Sequence, residues 1–303
     1  MKKVKKYIVL LMGALAITTA SAQQDPQFTQ YFDNTLYVNP AYAGSKEMLN
    51  ITAIHREQWV GINGRPRSTS FSIHSPLRYR SLGVGFTAVN DMIGPTRQTM
   101  MYGDISYTLR FKNKTKLSFG IKGGLNMINI DQAAFTNGSN PVSILTSARN
   151  AINPNFGVGI LYHGPKFFVG VSTPKILEQP YDKTNSSLEK RHYFAIAGYV
   201  ATLSPTWKLR PTTQFKYTEG APFSLDVSLT AIYNEKFWFG GMYRLDAAFG
   251  AFVQFLVTPQ YKIGLASDFG TQALRKYNSG TFEIMMSYDF TFKNKGILSP
   301  RYF

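Results

Sequence analysis

The sequence predicts an all-β fold, a transmembrane antiparallel β-barrel of about fourteen strands in the outer membrane, with an N-terminal periplasmic non-strand segment before it. Three observations predict this fold: long runs that alternate apolar and polar side chains, connections that alternate in length, and an N-terminal export signal. The runs are about ten residues long, which is enough for a tilted strand to cross a bilayer, whereas strands of soluble sheets average roughly 5–6 residues.

The alternation is clearest between Phe223 and Tyr233, where nearly every second side chain is apolar. Because successive side chains of a strand point to opposite faces, such a run has one apolar and one polar face. The pattern places Leu225 and Leu229 toward lipid and Ser228 toward the lumen. Alternation is weakest in the first and eighth predicted strands. The predicted strands are residues 49–60, 67–75, 81–90, 99–111, 116–129, 155–163, 166–173, 192–203, 207–217, 222–234, 237–244, 248–258, 260–269 and 280–292.

The connections support the barrel independently of the side-chain pattern. Those after even-numbered strands are short, as at residues 112–114, and those after odd-numbered strands are mostly longer, notably residues 130–154 and 174–191. Outer-membrane barrels have short periplasmic turns and longer extracellular loops. The sequence therefore predicts that the short turns and both chain ends lie in the periplasm.

The first 22 residues have the features of a cleaved signal peptide. Four lysines within the first six residues precede an apolar run from Ile8 to Ala20. This run is shorter than the roughly 20 residues that a membrane-spanning helix needs, and Ala20-Ser21-Ala22 matches the site that signal peptidase cleaves. We therefore expect a signal peptide at residues 1–22, a periplasmic N-terminal segment at 23–48 and the barrel at 49–303.

The composition also favours a membrane barrel. Aromatic residues make up 15% of the chain and charged residues only 17%, whereas about 25% of an ordinary soluble domain is charged. Aromatic residues near strand ends are predicted to form the interfacial girdles of such a barrel. They are Tyr102, Phe111, Tyr162, Tyr217, Tyr233, Phe269, Tyr288 and Phe292.

No pattern of catalytic or metal-binding residues is present in the sequence. The chain has no cysteine, and His55, His74, His163 and His192 fall on separate strands or strand ends without metal-ligand spacing. Glycine pairs such as Gly83-Gly85 and Gly157-Gly159 do not open a helix after a strand, as a phosphate loop requires. In strands they indicate bends or close backbone approach. We therefore expect no enzyme activity and no cofactor.

The formal net charge of +16 has three interpretations. Nucleic-acid binding is not expected, because the basic residues are dispersed and no recognition motif accompanies them. A basic lumen that selects anions and contact with lipopolysaccharide phosphates at the outer rim both stay open. The basic residues on polar strand faces are Lys122, Lys208, Arg210, Lys216 and Lys262.

Motifs from one end of the chain to the other resemble a known family. Residues 24–32 read Gln-Asp-Pro-Gln-Phe-Thr-Gln-Tyr-Phe, and residues 36–45 read Leu-Tyr-Val-Asn-Pro-Ala-Tyr-Ala-Gly-Ser. Shorter matches are Arg-Glu-Gln-Trp-Val-Gly at 56–61, His-Ser-Pro-Leu at 74–77 and Ser-Pro-Arg-Tyr-Phe at 299–303. These motifs strongly resemble the PorP/SprF family, although Glu57 stands where the family pattern has Gln.

The resemblance implies an outer-membrane component of the type IX secretion system of Bacteroidetes, linked in some members to gliding motility. Such barrels assist export or surface attachment of a large cargo protein, and they work with periplasmic ring components and the translocon. The alternative that the sequence leaves open is a porin-like solute channel with a partly basic lumen. A porin, however, has no evident need for a long aromatic leader.

That leader is the candidate functional site. Exposed aromatic residues at this density are unusual unless something covers them. One hypothesis is that they bind a periplasmic partner; the others are that they pack against the periplasmic mouth of the barrel or plug its lumen. The candidate partner-binding residues are Phe28, Tyr31, Phe32, Tyr37 and Tyr42.

Overall fold

The alternating runs form fourteen antiparallel strands that close into one barrel. The computed structural model describes residues 25–78, 81–131, 151–179, 189–271 and 277–290. The strands are β1 Leu49–Glu57, β2 Arg67–Pro76, β3 Leu82–Ile93, β4 Thr96–Arg110, β5 Lys116–Ile130, β6 Ala151–His163, β7 Phe167–Thr173, β8 His192–Tyr199 with its continuation Ala201–Thr202, β9 Trp207–Thr218, β10 Ser224–Tyr233, β11 Phe237–Arg244, β12 Ala248–Leu256, β13 Tyr261–Gly270 and β14 Thr281–Phe290.

All fourteen predicted strands are confirmed, including the first and the eighth. The largest difference in a strand end is four residues, at β6, which begins at Ala151 instead of the predicted residue 155. The interruption of β8 at Val200 lies next to the residue that faces Pro211 of β9. Because proline lacks an N–H, it cannot donate a ladder hydrogen bond there.

The barrel closes where the first strand pairs with the last. β1 and β14 are antiparallel over the whole length of β1, from Leu49 opposite Phe290 to Glu57 opposite Phe282. Every other strand pairs with its neighbours in sequence. A closed sheet leaves no edge strand, so each strand has a hydrogen-bonding neighbour on both sides.

The two faces of the barrel follow the predicted alternation. On β10, Leu229 is 51% exposed on the outer surface, whereas Ser228 is buried in the lumen. Girdle residues such as Phe111 and Tyr217 are exposed, as predicted. Tyr102 is the exception: it lies mid-strand on β4 and is only 3% exposed, because its side chain faces the lumen. Phe292 lies outside the described residues.

The two ends of the barrel differ, and we name them by their connections. The turn mouth carries the connections after even-numbered strands, and the loop mouth carries those after odd-numbered strands. The described part of the turn mouth has short connections, such as residues 164–166 between β6 and β7. Two connections at the loop mouth are also tight, since only Gly94 and Pro95 join β3 to β4 and only residues 245–247 join β11 to β12. Residues 132–150 and 180–188 of the two longest loops, residues 1–22 and the motif at 299–303 lie outside the described residues.

The N-terminal segment has no strand, as predicted. It contains a 3-10 turn at Tyr31–Asp33, the one-turn helix α1 at Thr35–Val38 and a second 3-10 turn at Pro40–Tyr42. We expected this segment on the periplasmic side of the barrel, but residues 25–48 lie inside the lumen. Burial of their aromatic side chains against the barrel wall removes apolar surface from water, which the segment cannot achieve alone.

Candidate functional site

The lumen is filled by residues 25–48, which we call the plug. At the turn mouth, Glu47 Oε1 accepts hydrogen bonds of 2.6 Å from both Arg110 and Lys116. At the loop mouth, Asp25 Oδ1 lies 2.5 Å from Nζ of Lys175, which follows β7. The plug therefore runs the length of the barrel, and its first described residue lies at the mouth opposite to the one where it joins β1.

The five candidate aromatic residues all belong to the interior of this plug. Phe28, Tyr31, Phe32, Tyr37 and Tyr42 are between 3% and 7% exposed. Phe28 packs edge-on against Tyr37, and Phe32 packs against Phe252 of β12 at 5.2 Å between ring centroids. A partner does not reach these side chains while the plug occupies the lumen. Partner binding through them stays a hypothesis that requires the segment to leave the barrel.

Polar groups of the wall bind the ends of these aromatic side chains. The Tyr31 hydroxyl lies 3.1 Å from Thr212 Oγ1 and 3.1 Å from Ser228 Oγ. Burial raises the pKa of Tyr31 to about 12, so the hydroxyl keeps its proton. The Arg210 guanidinium lies 4.2 Å from the Phe32 ring centroid, a cation–π contact. The plug is therefore fixed by specific contacts and not by apolar packing alone.

A buried ion cluster holds the plug at the seam between β1 and β14. Arg56 of β1 lies 2.7 Å from Asp268 of β13 and 3.3 Å from Glu283 of β14. Glu283 accepts hydrogen bonds from the backbone N–H groups of Thr29 and Gln30, at 2.8 and 2.9 Å. Buried charges are stable only when they are paired and hydrogen-bonded, and here the plug supplies part of that pairing.

Acidic plug residues also pair with cations near each mouth. Asp25 and Glu189 both contact Lys175 Nζ, at 2.5 and 2.7 Å. Burial alone would raise the pKa of Asp25, but Lys175 and His192 outweigh it and hold that pKa well below its ordinary value. Asp33 lies 2.6 Å from Lys262 Nζ, and its pKa is likewise lowered because this cation outweighs burial. Both carboxylates are therefore charged at neutral pH.

The wall also satisfies the last carbonyl groups of helix α1, which have no partner within the helix. Lys122 Nζ donates to the carbonyls of Leu36 and Tyr37, at 3.1 and 3.3 Å, and forms an ion pair with Asp104 at 3.1 Å. Ser172 Oγ donates to the carbonyl of Val38 at 2.8 Å. Burying a helix end whose carbonyl groups had no such donors would cost free energy.

Three lumen-facing glycines let the plug approach the wall closely, with its backbone at Gly83 and Gly120 and with the Asn39 side chain at Gly159. A Cβ atom at Gly83 would lie 2.2 Å from the Ala43 carbonyl oxygen, and one at Gly120 would lie 2.2 Å from the Ala41 nitrogen. A Cβ atom at Gly159 would lie 2.1 Å from Asn39 Oδ1. No side chain fits these gaps. The close backbone approach that the sequence indicated is thus confirmed at Gly83, and at Gly159 the close neighbour is the Asn39 side chain of the plug.

Basic residues that the sequence predicted on polar strand faces form ion pairs with carboxylates. Of the basic residues predicted on polar faces, Lys122 pairs with Asp104, Lys262 with Asp33, and Lys208 with Glu235. His74, on β2, accepts a hydrogen bond from the Gly44 N–H at 3.1 Å. Within the described ranges, no group of three or more His, Asp or Glu side chains is placed to hold a metal ion. The arrangement binds a peptide segment and shows no catalytic geometry there.

Several residues that hold the plug were not singled out from the sequence. Arg56, Asp268 and Glu283 are isolated charges on polar strand faces, where water in an open lumen would satisfy them equally well. Gly120 stands among polar lumen residues of β5. The sequence indicated them only weakly. Glycines and isolated charges lie on the predicted lumen face, and the aromatic residues of the N-terminal segment have to be buried against some surface.

This barrel is similar to known proteins in sequence and in fold. The profile of a family described as type IX secretion system membrane protein PorP/SprF matches residues 20–288. Among solved structures, CymD, a monoaromatic hydrocarbon channel, has a TM-score of 0.53 and 12% identity, over 86% of this chain and 92% of its own. The outer membrane protein Omp33 of Acinetobacter baumannii has a TM-score of 0.47 and 10% identity, over 80% and 98%. At such identity these likenesses concern the fold alone. No curated protein sequence matches the chain.

Proposed function

Because this chain belongs to the PorP/SprF family of type IX secretion system membrane proteins, we propose that it assists the export or surface attachment of a large cargo protein. It is an outer-membrane β-barrel, and in this proposal it acts as an accessory that contacts periplasmic ring components and the translocon. It is not itself the conduit, and its role is structural, not catalytic.

The filled lumen is the observation that carries this proposal. A channel for solutes or for a polypeptide needs a continuous aqueous path, whereas the described lumen holds residues 25–48. The ion cluster around Arg56, where β1 meets β14, and the Lys122 contacts from β5 both bind this segment. These contacts favour a scaffold over the porin-like alternative.

We place the turn mouth in the periplasm, because outer-membrane barrels keep their short turns there. The described turns at this mouth carry the basic residues Arg78, Lys112, Lys114, Lys166 and Lys236, and the one acidic residue Glu235. These side chains are all exposed. Such a surface fits an acidic face of a periplasmic partner, since complementary charge steers association. In this proposal, partner contact occurs at the turns while the plug stays in place.

Affinity purification of the intact protein from native membranes tests the proposal. We expect periplasmic ring components to co-purify with the wild type and to be lost from a Lys112→Glu, Lys114→Glu double variant. The matched control, Lys190→Glu with Arg191→Glu at the loop mouth, should retain them. Loss of the gene should abolish surface display of the cargo. Normal display without the gene, or equal recovery from both double variants, contradicts the proposal.

A further inference from the structure

An apolar groove of about 660 Å³ lies on the outer surface of the barrel, across β12, β13, β14 and β1. Two small outward-facing residues, Ala251 and Ser267, form its floor and are opposite each other in the β12–β13 register. Larger side chains surround this depression: Val253 and Leu265 lie one step toward the turn mouth, and Phe282 lies beside Ser267 on β14. Small residues among large ones thus leave a gap in the lipid-facing belt.

His55 and Glu57 of β1 also line this groove, and Glu57 stands at its loop-mouth end with two arginines beside it. Glu57 ends β1, and it faces Phe282 of β14 on one side and Arg67 of β2 on the other. Arg65 Nη2 lies 2.6 Å from Glu57 Oε2, and Arg67 Nε lies 3.6 Å from Glu57 Oε1. Two guanidinium groups share one carboxylate, so this end of the groove carries excess positive charge.

We infer that the groove binds the lipid A portion of lipopolysaccharide, with an acyl chain over Ala251 and Ser267 and a phosphate at Arg65 and Arg67. An anionic amphiphile matches a site that is apolar along its length and positive at one end. Guanidinium groups are well suited to phosphate because their planar fork donates two parallel hydrogen bonds. The inference rests on the proposed orientation, which places the loop mouth at the outer leaflet, and not on the secretory role.

The position of the groove favours lipid over a protein partner. Its floor and walls lie in the belt where acyl chains surround the barrel, and Leu265 and Ile284, neighbours in the β13–β14 register, both face outward. A protein segment in this belt would have to satisfy its own backbone groups in a dry environment. An acyl chain has no such groups.

Binding of purified lipid A to the detergent-solubilised full-length barrel, followed by native mass spectrometry, tests the site. Arg65→Ala with Arg67→Ala removes the phosphate contacts, and Ala251→Trp fills the groove. Each charge-assisted contact is worth enough that its loss weakens binding about tenfold or more. The controls are Arg97→Ala, on β4 at the same mouth, and Ala195→Trp, on the outward face of β8. Both controls should bind as the wild type does.

Two further ligands show which part of lipid A the groove recognises. With lipid A that lacks phosphates, the wild type and the arginine variant should bind equally. Phosphatidylglycerol should bind more weakly than lipid A, because its phosphodiester carries one negative charge whereas a phosphate monoester carries up to two. Equal binding of lipid A to all variants overturns the inference, as does a dimer that Ala251→Trp dissociates while lipid binding stays unchanged. Heat-modifiable migration confirms folding of each variant beforehand. Cargo display measured in parallel tests the proposed function separately, since failure of lipid binding leaves display unaffected.

Discussion

Arg56 and Glu283 lie directly opposite each other across the pair of strands that closes the barrel, and the same two residues bind the plug. Arg56 Nη1 donates to Thr29 Oγ1 at 2.6 Å, and Glu283 Oε2 accepts from the Thr29 N–H at 2.8 Å. The first and last strands and the N-terminal segment therefore meet in one buried cluster. Pairing of the first and last strands and binding of the plug therefore depend on the same cluster of residues.

Replacing Arg56 by Met tests this coupling. The change leaves Asp268 and Glu283 buried without their cation, and breaking a buried ion pair costs about 3–5 kcal/mol. The free energy of unfolding is measured by urea titration in lipid vesicles. The matched control is Arg65→Met, because Arg65 is partly exposed and its pair with Glu57 is worth about 0–1 kcal/mol. Equal small losses in both variants would show that the cluster does not stabilise the barrel.

Replacing Gly120 by Ala tests the contact between plug and wall. The added methyl group meets the plug backbone at Ala41, and overpacking of this kind costs about 1–3 kcal/mol. Gly103→Ala is the control: a Cβ atom there has only the Gly123 carbonyl oxygen within 4 Å, at 3.9 Å. Replacing that glycine reduces the entropy of the unfolded chain, so stability should stay the same or rise slightly. A loss at Gly103 as large as that at Gly120 would mean that the close approach is not the cause.

The two faces of β10 provide a further pair of variants. Leu229→Arg places a charge in lipid and should cost about 2–4 kcal/mol near the bilayer centre. The alternation alone suggests that Ser228→Arg is far milder, because an open lumen accepts charge. In the occupied lumen, Ser228 contacts Tyr31 and Thr212, so an arginine there should displace the plug. Planar-bilayer recordings of Ser228→Arg should show new conductance, and Leu229→Arg should show none. A silent Ser228→Arg barrel of normal stability would contradict the occupied lumen.

Cysteine labelling of intact cells tests the orientation, and the chain has no cysteine of its own to interfere. Asn63→Cys, on the exposed connection between β1 and β2, should react with a membrane-impermeant maleimide. Asn113→Cys, on the exposed turn between β4 and β5, should react only after the outer membrane is permeabilised. The reverse pattern would invert the assignment of the two mouths to the two sides of the membrane.

The strands and their faces are readable from the sequence because alternation reports local geometry. Leu229 and Ser228 lie on opposite faces whatever fills the lumen. Tyr102 shows the limit of this reading: its aromatic ring suggests the membrane interface, but it packs inside the barrel, with the Lys122 ammonium 5.4 Å from its ring. Only the tertiary arrangement brings that cation and the plug to it.

The plug itself depends on long-range contacts that a strand pattern does not encode. Asp25 pairs with Lys175, and Thr29 binds Glu283, over separations of 150 and 254 residues. A polar lumen residue has the same sequence pattern whether water or a peptide segment satisfies it. Two features of the sequence indicated a plug: the lumen-facing glycines Gly83 and Gly159, and the aromatic leader. Each of them alone also fits another explanation.

In the proposed function, the barrel serves secretion with its plug in place. A disulfide between Asn39→Cys and Gly159→Cys would lock the plug. A Cβ atom at Gly159 lies 3.0 Å from Asn39 Cγ, close to where the cysteine sulfur would stand. Bond lengths and angles of a disulfide put each Cβ about 3 Å from the partner's sulfur. The Asn39→Cys single variant and the reduced double variant are the controls.

The decisive measurement is surface display of the cargo in cells that carry the oxidised, locked barrel. We expect display equal to that of the reduced protein and of the Asn39→Cys single variant, because partner contact at the turn mouth leaves the plug in place. Display that stops on oxidation and returns on reduction would contradict this account. It would mean that the segment must leave the lumen, as partner binding through Phe28, Tyr31 and Phe32 requires.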